Sequence, residues 1–146
     1  MNDVIEITNL LYTYNDLIDR GNLEGAMDLF KDAKLKIAGV DEPVDHKTFL
    51  AMLKRVVIIY SDGTPKTRHM VTNPIIKIDD IHGIATSKAT FTVLQQTETL
   101  TLQIIATGYY NDKFEKWEGK WRFKYRESEL PHIYGNIHGH INLNML

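Results

Sequence analysis

Two residues of the sequence, His69 and Asp19, combine the chemistry needed to move a proton. Histidine has an unperturbed pKa close to neutral, so its imidazole gives or takes a proton at little cost near pH 7. A carboxylate within hydrogen-bonding reach fixes the tautomer of such a ring and raises its proton affinity. His69 lies at the start of an extended pattern over residues 67–79, and Asp19 lies near the end of the first predicted helix. The two residues therefore predict a small acid–base pocket.

Residues that follow His69 in the sequence are candidates for contacts with a substrate. Side chains alternate along a strand, so a regular strand places Val71 and Asn73 on the face of His69. Pro74 lacks an N–H group and marks an edge or a bulge, which would change that register. Phe91, in the next predicted strand, completes the substrate contacts predicted from the sheet.

Two tyrosines, Tyr14 and Tyr60, carry hydroxyl groups on otherwise apolar helical stripes. A buried tyrosine hydroxyl usually finds a hydrogen-bond partner, and a ligand oxygen is one such partner. A structural role fits these residues as well, with the hydroxyl bonded to backbone. The residues are equally consistent with His69 as a histidine at the end of a strand, bonded to backbone and without a chemical role. They are also consistent with Asp19 as a solvated acid near a helix end, paired with Arg20 or another neighbour. The residues alone leave these alternatives open.

The spacing of apolar residues changes along the chain and predicts the fold class. Apolar residues recur at three- and four-residue spacing early in the chain, which is typical of helices, and later at every second residue, which is typical of strands. The predicted helices cover residues 4–20, a short stretch from residue 22, and residues 46–60; the predicted strands cover residues 34–40, 67–79, 84–96, 99–112 and 121–129, with a short piece near 113–117. This order predicts an α+β cone, in which three helices pack on a strongly curved, mostly antiparallel sheet and one end is available as an apolar pocket.

Aromatic and basic residues alternate in the last predicted strand, from Trp121 to Arg126. Alternation predicts that the aromatic residues, up to Tyr125, face the core and that the basic residues, including Arg126, face away from it. Stacking on nucleic acid would need exposed aromatic side chains beside basic ones. The pattern therefore predicts core packing.

The composition excludes several classes of function. The 146 residues include no cysteine, which excludes disulfides, thiolate nucleophiles and cysteine-ligated metal sites. A net charge of −2 without a long basic run argues against nucleic-acid binding, and no apolar run approaches the ~18 residues of a membrane span. No cofactor is expected, since the sequence has no glycine-rich phosphate-binding loop. No metal is expected either, since the tail histidines His132, His138 and His140 form only a weak metal-binding pattern. We expect one cytoplasmic domain over residues 1–130 and a tail of uncertain structure over residues 131–146.

The order and spacing of several short motifs resemble the SnoaL-like family of the nuclear-transport-factor-2-like superfamily. The motifs lie in residues 14–23, 28–30, 67–69, 78–79, 85–87, 108–112 and 119–123, together with Asn73. The resemblance implies a cystatin-like fold. The superfamily includes ketosteroid isomerases, polyketide cyclases, scytalone dehydratase, limonene epoxide hydrolase, dioxygenase small subunits and members that only bind, so membership leaves the chemistry open.

The pattern is most similar to the scytalone-dehydratase branch, in which an aspartate at the end of the first helix and a histidine opening a strand act at the pocket. The resemblance assigns these roles to Asp19 and His69. That branch also uses a second histidine on the following strand, whereas residues 84–97 contain none. Many relatives dimerise through the outer face of the sheet, and the mixed face that carries Gln103 and Tyr109 is predicted to form such an interface, in a homodimer or a trimer.

Two functions follow as hypotheses. The first is a cofactor-free enzyme that dehydrates, isomerises or cyclises a small cyclic or aromatic molecule, with His69 as base or acid, Asp19 orienting it or activating a water, and Tyr14 or Tyr60 polarising the substrate oxygen. The second is a non-catalytic protein, either a ligand-binding module or a small structural subunit of a dioxygenase-type complex. The missing second histidine favours the second hypothesis.

Overall fold

The computed structural model describes residues 2–145, except for the side chains of residues 130–132, and within that range three helices pack on one curved sheet. The helices are α1 (Asp3–Asp19), α2 (Leu23–Asp28) and α3 (His46–Val56). The strands are β1 (Lys34–Lys36), β2 (Thr67–Asp79), β3 (Ile84–Gln95), β4 (Gln103–Trp117) and β5 (Lys120–Tyr134), and two 3₁₀ turns follow at Ile137–Gly139 and Leu143–Met145. The predicted α+β class is confirmed. None of these three helices is both long and apolar enough to cross a membrane.

Helix α1 carries the apolar stripe that closes the interior. Ile7, Leu11 and Ile18 recur on one side of the helix and are almost fully buried. The Asn2 side chain accepts the Val4 backbone N–H at 2.8 Å, which caps the first turn. Each fully buried aliphatic side chain of this kind contributes roughly 1.5–3 kcal/mol, so the stripe fixes the position of α1 on the sheet.

The sheet has the order β1-β5-β4-β3-β2, with β1 parallel to β5 and the other neighbours antiparallel. The predicted strands 99–112 and 113–117 were wrongly divided, because residues 103–117 form one strand, β4, which pairs with β3 from Gln103 to Glu115 and with β5 from Ala106 to Trp117. Strand β5 also continues to Tyr134, beyond the predicted end at residue 129. The register shifts at Val93/Leu94, Thr107/Tyr109 and Lys113/Phe114. Such bulges bend a sheet.

A bulge interrupts β2 between Thr72 and Ile75. Pro74 has no N–H group for the ladder, and Asn73 adopts a φ of 53°, in the left-handed region. The Asn73 side chain is exposed, while Pro74 is half-buried. A regular strand would have placed Asn73 on the same face as His69. Because of the bulge, Pro74 lies on that face instead.

Residues 135–145, named here the C-terminal segment, pack back against the end of α3. The backbone N–H of Ile58 donates to the His140 carbonyl at 2.9 Å, and the N–H of Asn142 donates to the Val56 carbonyl at 2.8 Å. These bonds form an isolated bridge between Val57 and Ile141. The predicted helix 46–60 was therefore too long, because residues after Val56 are extended and pair with the C-terminal segment.

Gly21 ends α1 in a position that tolerates no other residue, and this gives a test of the fold. Its φ is +77°, and an added Cβ would lie 1.9 Å from the Gly63 carbonyl oxygen. Gly63 has a similar φ of +82° but open space around it. We expect Gly21→Ala to lose more than about 2 kcal/mol of unfolding free energy and Gly63→Ala about 1 kcal/mol. Urea unfolding of both variants measures this, and equal losses would show that the contact with Gly63 is loose.

Candidate functional site

The end of α1 and the start of β2 meet in a hydrogen-bonded pair, Asp19 and His69, which we call the dyad. His69 Nδ1 lies 2.6 Å from Asp19 Oδ1, and the His69 backbone N–H donates to Asp19 Oδ2 at 2.7 Å. The Thr67 hydroxyl also donates to Oδ1, at 2.8 Å. An ionised carboxylate only accepts hydrogen bonds, so Nδ1 of His69 carries the proton. Nε2 is then the ring nitrogen with a free lone pair, which can accept a proton from a substrate.

The dyad is isolated from the surface charges around it. Arg20 binds Asp16 at 2.9 Å, so the surface pairing of Asp19 with Arg20, left open by the sequence, is not formed. The side chains of His69 and Asp19 are 8% and 11% exposed. Burial disfavours the carboxylate, but the hydrogen bonds from His69 and Thr67 outweigh it and hold the pKa of Asp19 below its ordinary value. Asp19 is therefore a carboxylate at neutral pH.

A second histidine, His140, reaches the dyad from the C-terminal segment. Its ring centroid lies 5.7 Å from that of His69, in an edge-to-face arrangement with an interplanar angle of 70°. The residue is only 5% exposed. Burial, followed by the nearby His69, lowers the pKa of His140 to about 4, although the Asp19 carboxylate acts in the opposite direction. His140 is therefore neutral at pH 7.

The C-terminal segment is fixed at Gly139, beside this histidine. The Gly139 carbonyl accepts the Tyr60 hydroxyl at 2.6 Å and the Gln95 side-chain amide at 2.9 Å. An added Cβ on Gly139 would lie 2.9 Å from Gln95 Oε1, so the segment approaches β3 closely. The Tyr60 hydroxyl, predicted to contact substrate, is bonded to backbone here. Its role toward a substrate stays a prediction.

Three of the other predicted contact residues, Tyr14, Val71 and Phe91, lie partly or fully in the interior. Val71 is half-buried and pairs in register with Phe91, which stacks on Tyr110 at 4.5 Å. Tyr14 is buried, with its ring edge-on to Tyr110 at 6.3 Å. Only Asn73 lies on the exposed bulge. The structure therefore gathers Tyr14, Phe91 and Tyr110 into one aromatic cluster of the interior.

The comparison with known proteins identifies the family. The model of the SnoaL-like domain matches residues 1–127. The chain belongs to the SnoaL-like family. No functionally curated protein matches this SnoaL-like protein significantly.

Solved structures share the fold of this SnoaL-like protein at low sequence identity. An NTF2-like protein with a cystatin-like fold from Novosphingobium aromaticivorans is 18% identical, with a TM-score of 0.70 over 88% of this chain and 81% of that chain. Two further structures come from the same organism. One, provisionally assigned as a scytalone dehydratase, is 19% identical, with a TM-score of 0.67 over 91% and 87% of the two chains. The other, provisionally assigned as an aromatic ring hydroxylase, is 16% identical, with a TM-score of 0.68 over 94% and 95%.

The interior of this SnoaL-like protein holds a buried ion pair that alternation did not predict. Arg126 Nε and Nη2 donate to the two oxygens of Asp112 at 2.7 and 2.9 Å, and both side chains are nearly inaccessible. The guanidinium carbon lies 3.9–5.2 Å from four ring centroids, those of Tyr14, Phe30, Tyr110 and Phe123. Burial disfavours the charged guanidinium, but the Asp112 carboxylate outweighs it and raises the pKa of Arg126. The predicted outward position of Arg126 was wrong, because the bulge near Lys124 exchanges the two faces of β5.

Two surface grooves in the described part of the chain lie away from the dyad. One, of about 430 Å³, is lined by Leu10 of α1, by Leu29 directly after α2, and by Trp117, Trp121 and their charged neighbours. The other, of about 140 Å³, lies between residues 36–39 and 127–128. Beside the dyad, the His140 ring of the C-terminal segment packs edge-on against His69. The apolar pocket stays a prediction.

The tail histidines do not gather around a metal site in the part of the chain that is described. Within residues 2–145, no group of three or more histidine, aspartate or glutamate side chains is placed to hold a metal ion. His138 is exposed while His140 is buried. The side chain of His132 lies outside the described residues.

The buried His140 gives a prediction for stability against pH. Its pKa is 6.5 ordinarily and about 4 in the folded protein, so between these values the unfolded chain binds more protons. Stability therefore falls as the pH decreases from about 6.5 to 4, by about 3 kcal/mol from this residue. We expect urea unfolding of His140→Gln to lack this decrease. If the unfolding free energies of wild type and His140→Gln changed equally with pH, the pKa of His140 would not be lowered in the folded protein, and the prediction would be wrong.

Proposed function

We propose that this SnoaL-like protein is a cofactor-free dehydratase, isomerase or cyclase that moves a proton on a small cyclic or aromatic molecule. His69 is the general acid or base, and Asp19 orients it. The observation that carries the proposal is the Asp19 carboxylate, which accepts three short hydrogen bonds, from His69 twice and from Thr67, in a nearly closed interior. Such an arrangement fixes one tautomer and one ring orientation of the histidine.

The dyad supports proton transfer through Nε2 of His69. With Nδ1–H bonded to Asp19, the lone pair on Nε2 accepts a proton from the substrate, and the adjacent carboxylate stabilises the imidazolium that forms. A positioned general base contributes about 10²–10⁴-fold to a rate. Val71 and Phe91 supply the apolar surface that an aromatic or cyclic substrate would contact. The provisional assignment of one structural neighbour as a scytalone dehydratase supports the same class of reaction.

A thermal-shift screen tests the proposal. The panel contains cyclic ketones, phenols, polyketide-like aromatics and aromatic acids, with His69→Ala measured alongside wild type. A ligand at about 100 times its dissociation constant stabilises by roughly 2.7 kcal/mol, which is several degrees for a domain of this size. We expect at least one class to shift wild type, and His69→Ala to weaken that shift. Absence of any shift across the panel would contradict the proposal.

A non-catalytic function is the second candidate, and the closed interior favours it. The dyad is about nine-tenths buried and the C-terminal segment covers it, as expected for a purely structural hydrogen-bonded pair. The protein would then be a ligand-binding module or a small subunit of a dioxygenase-type complex. A ligand that wild type and His69→Ala bind equally and leave chemically unchanged would support this candidate.

We also propose that the protein forms a homodimer through the outer face of the sheet, with a trimer as the alternative. Ile104, Tyr109 and Ile133 expose 58%, 46% and 70% of their surface. Ile104 and Tyr109 belong to β4, and Ile133 lies on the adjacent strand β5. Light scattering after size exclusion gives the mass, and Ile133→Glu should shift it toward the monomer. A monomeric wild-type protein would contradict this proposal.

A further inference from the structure

Proton abstraction by His69 leaves negative charge on a substrate oxygen, and that charge needs a donor. The Tyr60 hydroxyl donates to the Gly139 carbonyl, and the Tyr14 ring lies against the Arg126 guanidinium, 4.5 Å from ring centroid to Cζ. We propose, building on the proposed function, that His140 is a catalytic residue: its neutral imidazole donates an N–H to the substrate oxygen while His69 takes the proton.

The position of the His140 ring supports this role. The ring packs edge-on against the His69 ring, at 5.7 Å between centroids, so one small substrate bound beside the two rings would contact both. His140 is 5% exposed, and its Nδ1 is buried without a hydrogen-bond partner among residues 2–145. Buried polar atoms are nearly always paired, so an unpaired one requires an explanation. A ligand oxygen that accepts from Nδ1–H supplies it.

The groups that face His140 keep its ring neutral, which is the form that can donate to the substrate oxygen. From β2 the ring meets His69, and from α1 it is influenced by the Asp19 carboxylate. Burial and His69 together lower the pKa of His140 far enough that the ring is neutral at pH 7. A neutral imidazole donates to an oxyanion without competing for the proton that His69 accepts.

The step balances with these two histidines alone. The substrate C–H bond next to a carbonyl breaks, and the proton moves to Nε2 of His69. The C–H electron pair forms a C=C bond, and the carbonyl π pair moves to the oxygen, which accepts the His140 N–H. Where the substrate carries a C=C bond next to the carbon that loses its proton, the enolate is a dienolate, and return of the proton from His69 to the far carbon of that C=C bond re-forms the C=O bond and gives the isomerised product.

The C-terminal segment delivers this donor. Its hydrogen bonds from Ile58 to the His140 carbonyl, and from Tyr60 and Gln95 to the Gly139 carbonyl, hold the imidazole over the dyad. Since these contacts close the site, substrate entry displaces the segment, and its return places His140 against the bound molecule.

Elimination of 5-nitrobenzisoxazole separates the two roles. In this reaction the base removes the ring C–H proton, the C–H electron pair completes a nitrile as the N–O bond breaks, and the oxygen leaves as a coloured phenolate. We expect His140→Phe, which keeps an aromatic ring but has no donor, to lower kcat at least about tenfold with little change in KM. His140→Gln keeps an N–H and should retain most of the rate. His138→Ala, an exposed change in the same segment, is the matched control.

The outcomes distinguish this inference from the proposed function. Wild-type turnover no faster than that of His69→Ala overturns the proposed function and this inference with it. Turnover that depends on His69 but is unchanged in His140→Phe overturns this inference alone. If His140→Phe does not fold, His140→Ala takes its place with added imidazole. Recovery of the rate by imidazole supports the role of His140, and a slow variant that imidazole does not rescue contradicts it.

Discussion

Replacement of His69 by alanine is expected to lower kcat for 5-nitrobenzisoxazole elimination by about 10²–10⁴-fold, because the reaction loses its general base. KM should change little, since the apolar interior that holds the ring, including Val71 and Phe91, is untouched. Asp19→Asn should reduce kcat between about 10- and 10⁴-fold, because the ring loses the carboxylate that fixes its tautomer.

A second histidine–aspartate pair on the surface provides the control. His82 Nδ1 lies 2.7 Å from Asp79 Oδ2, almost the geometry of the dyad, but the His82 side chain is 70% exposed. His82→Ala should leave turnover at the wild-type level. Equal losses in His82→Ala and His69→Ala would show that the measured rate comes from histidine in general and not from the buried dyad.

Loss of the interior ion pair is expected to have the largest effect on stability. Arg126→Met leaves the Asp112 carboxylate buried without its bidentate partner, and breaking a buried pair in this way costs about 3–5 kcal/mol. Replacement of both partners, as in Asp112→Leu with Arg126→Met, removes the unpaired charge and should recover part of the loss. Urea unfolding of the single and double variants measures both effects.

The exposed pair between Arg20 and Asp16 is the matched control for this prediction. Its nitrogen–oxygen distance of 2.9 Å is close to that of the buried pair, but both side chains are well exposed, at 73% and 60%. Arg20→Met should cost less than about 1 kcal/mol. An Arg126→Met protein as stable as Arg20→Met would show that water or a rearranged side chain compensates Asp112.

The sequence predicted the elements that depend on local periodicity and missed features that depend on bulges. The spacing of apolar residues located α1, β2 and β3 within a residue or two of their observed bounds. It failed at Asn73 and Arg126, because a bulge adds one residue and exchanges the two faces of the strand beyond it. Pro74 marks the first bulge in the sequence, whereas no residue type marks the second.

The part of the candidate site that depends on local periodicity was predicted, and the part that depends on distant contacts was not. Asp19 and His69 each lie at the end of a strongly periodic element, so their approach followed from packing α1 on β2. His140 did not, since its position depends on bonds between the C-terminal segment and residues 56–60, far away in the sequence. The only local sign was Gly139, a residue without a side chain where two parts of the chain approach closely.

Deuterium incorporation is the most direct test of proton transfer by the dyad. Cyclic ketones from the screening panel are incubated in heavy water with wild type or with His69→Ala, and proton NMR follows the loss of the α-hydrogen signals. We expect wild type to exchange at least one ketone about 10²-fold faster than His69→Ala does. Equal exchange rates for the two proteins across the whole panel would contradict a proton-transferring role for His69 and Asp19.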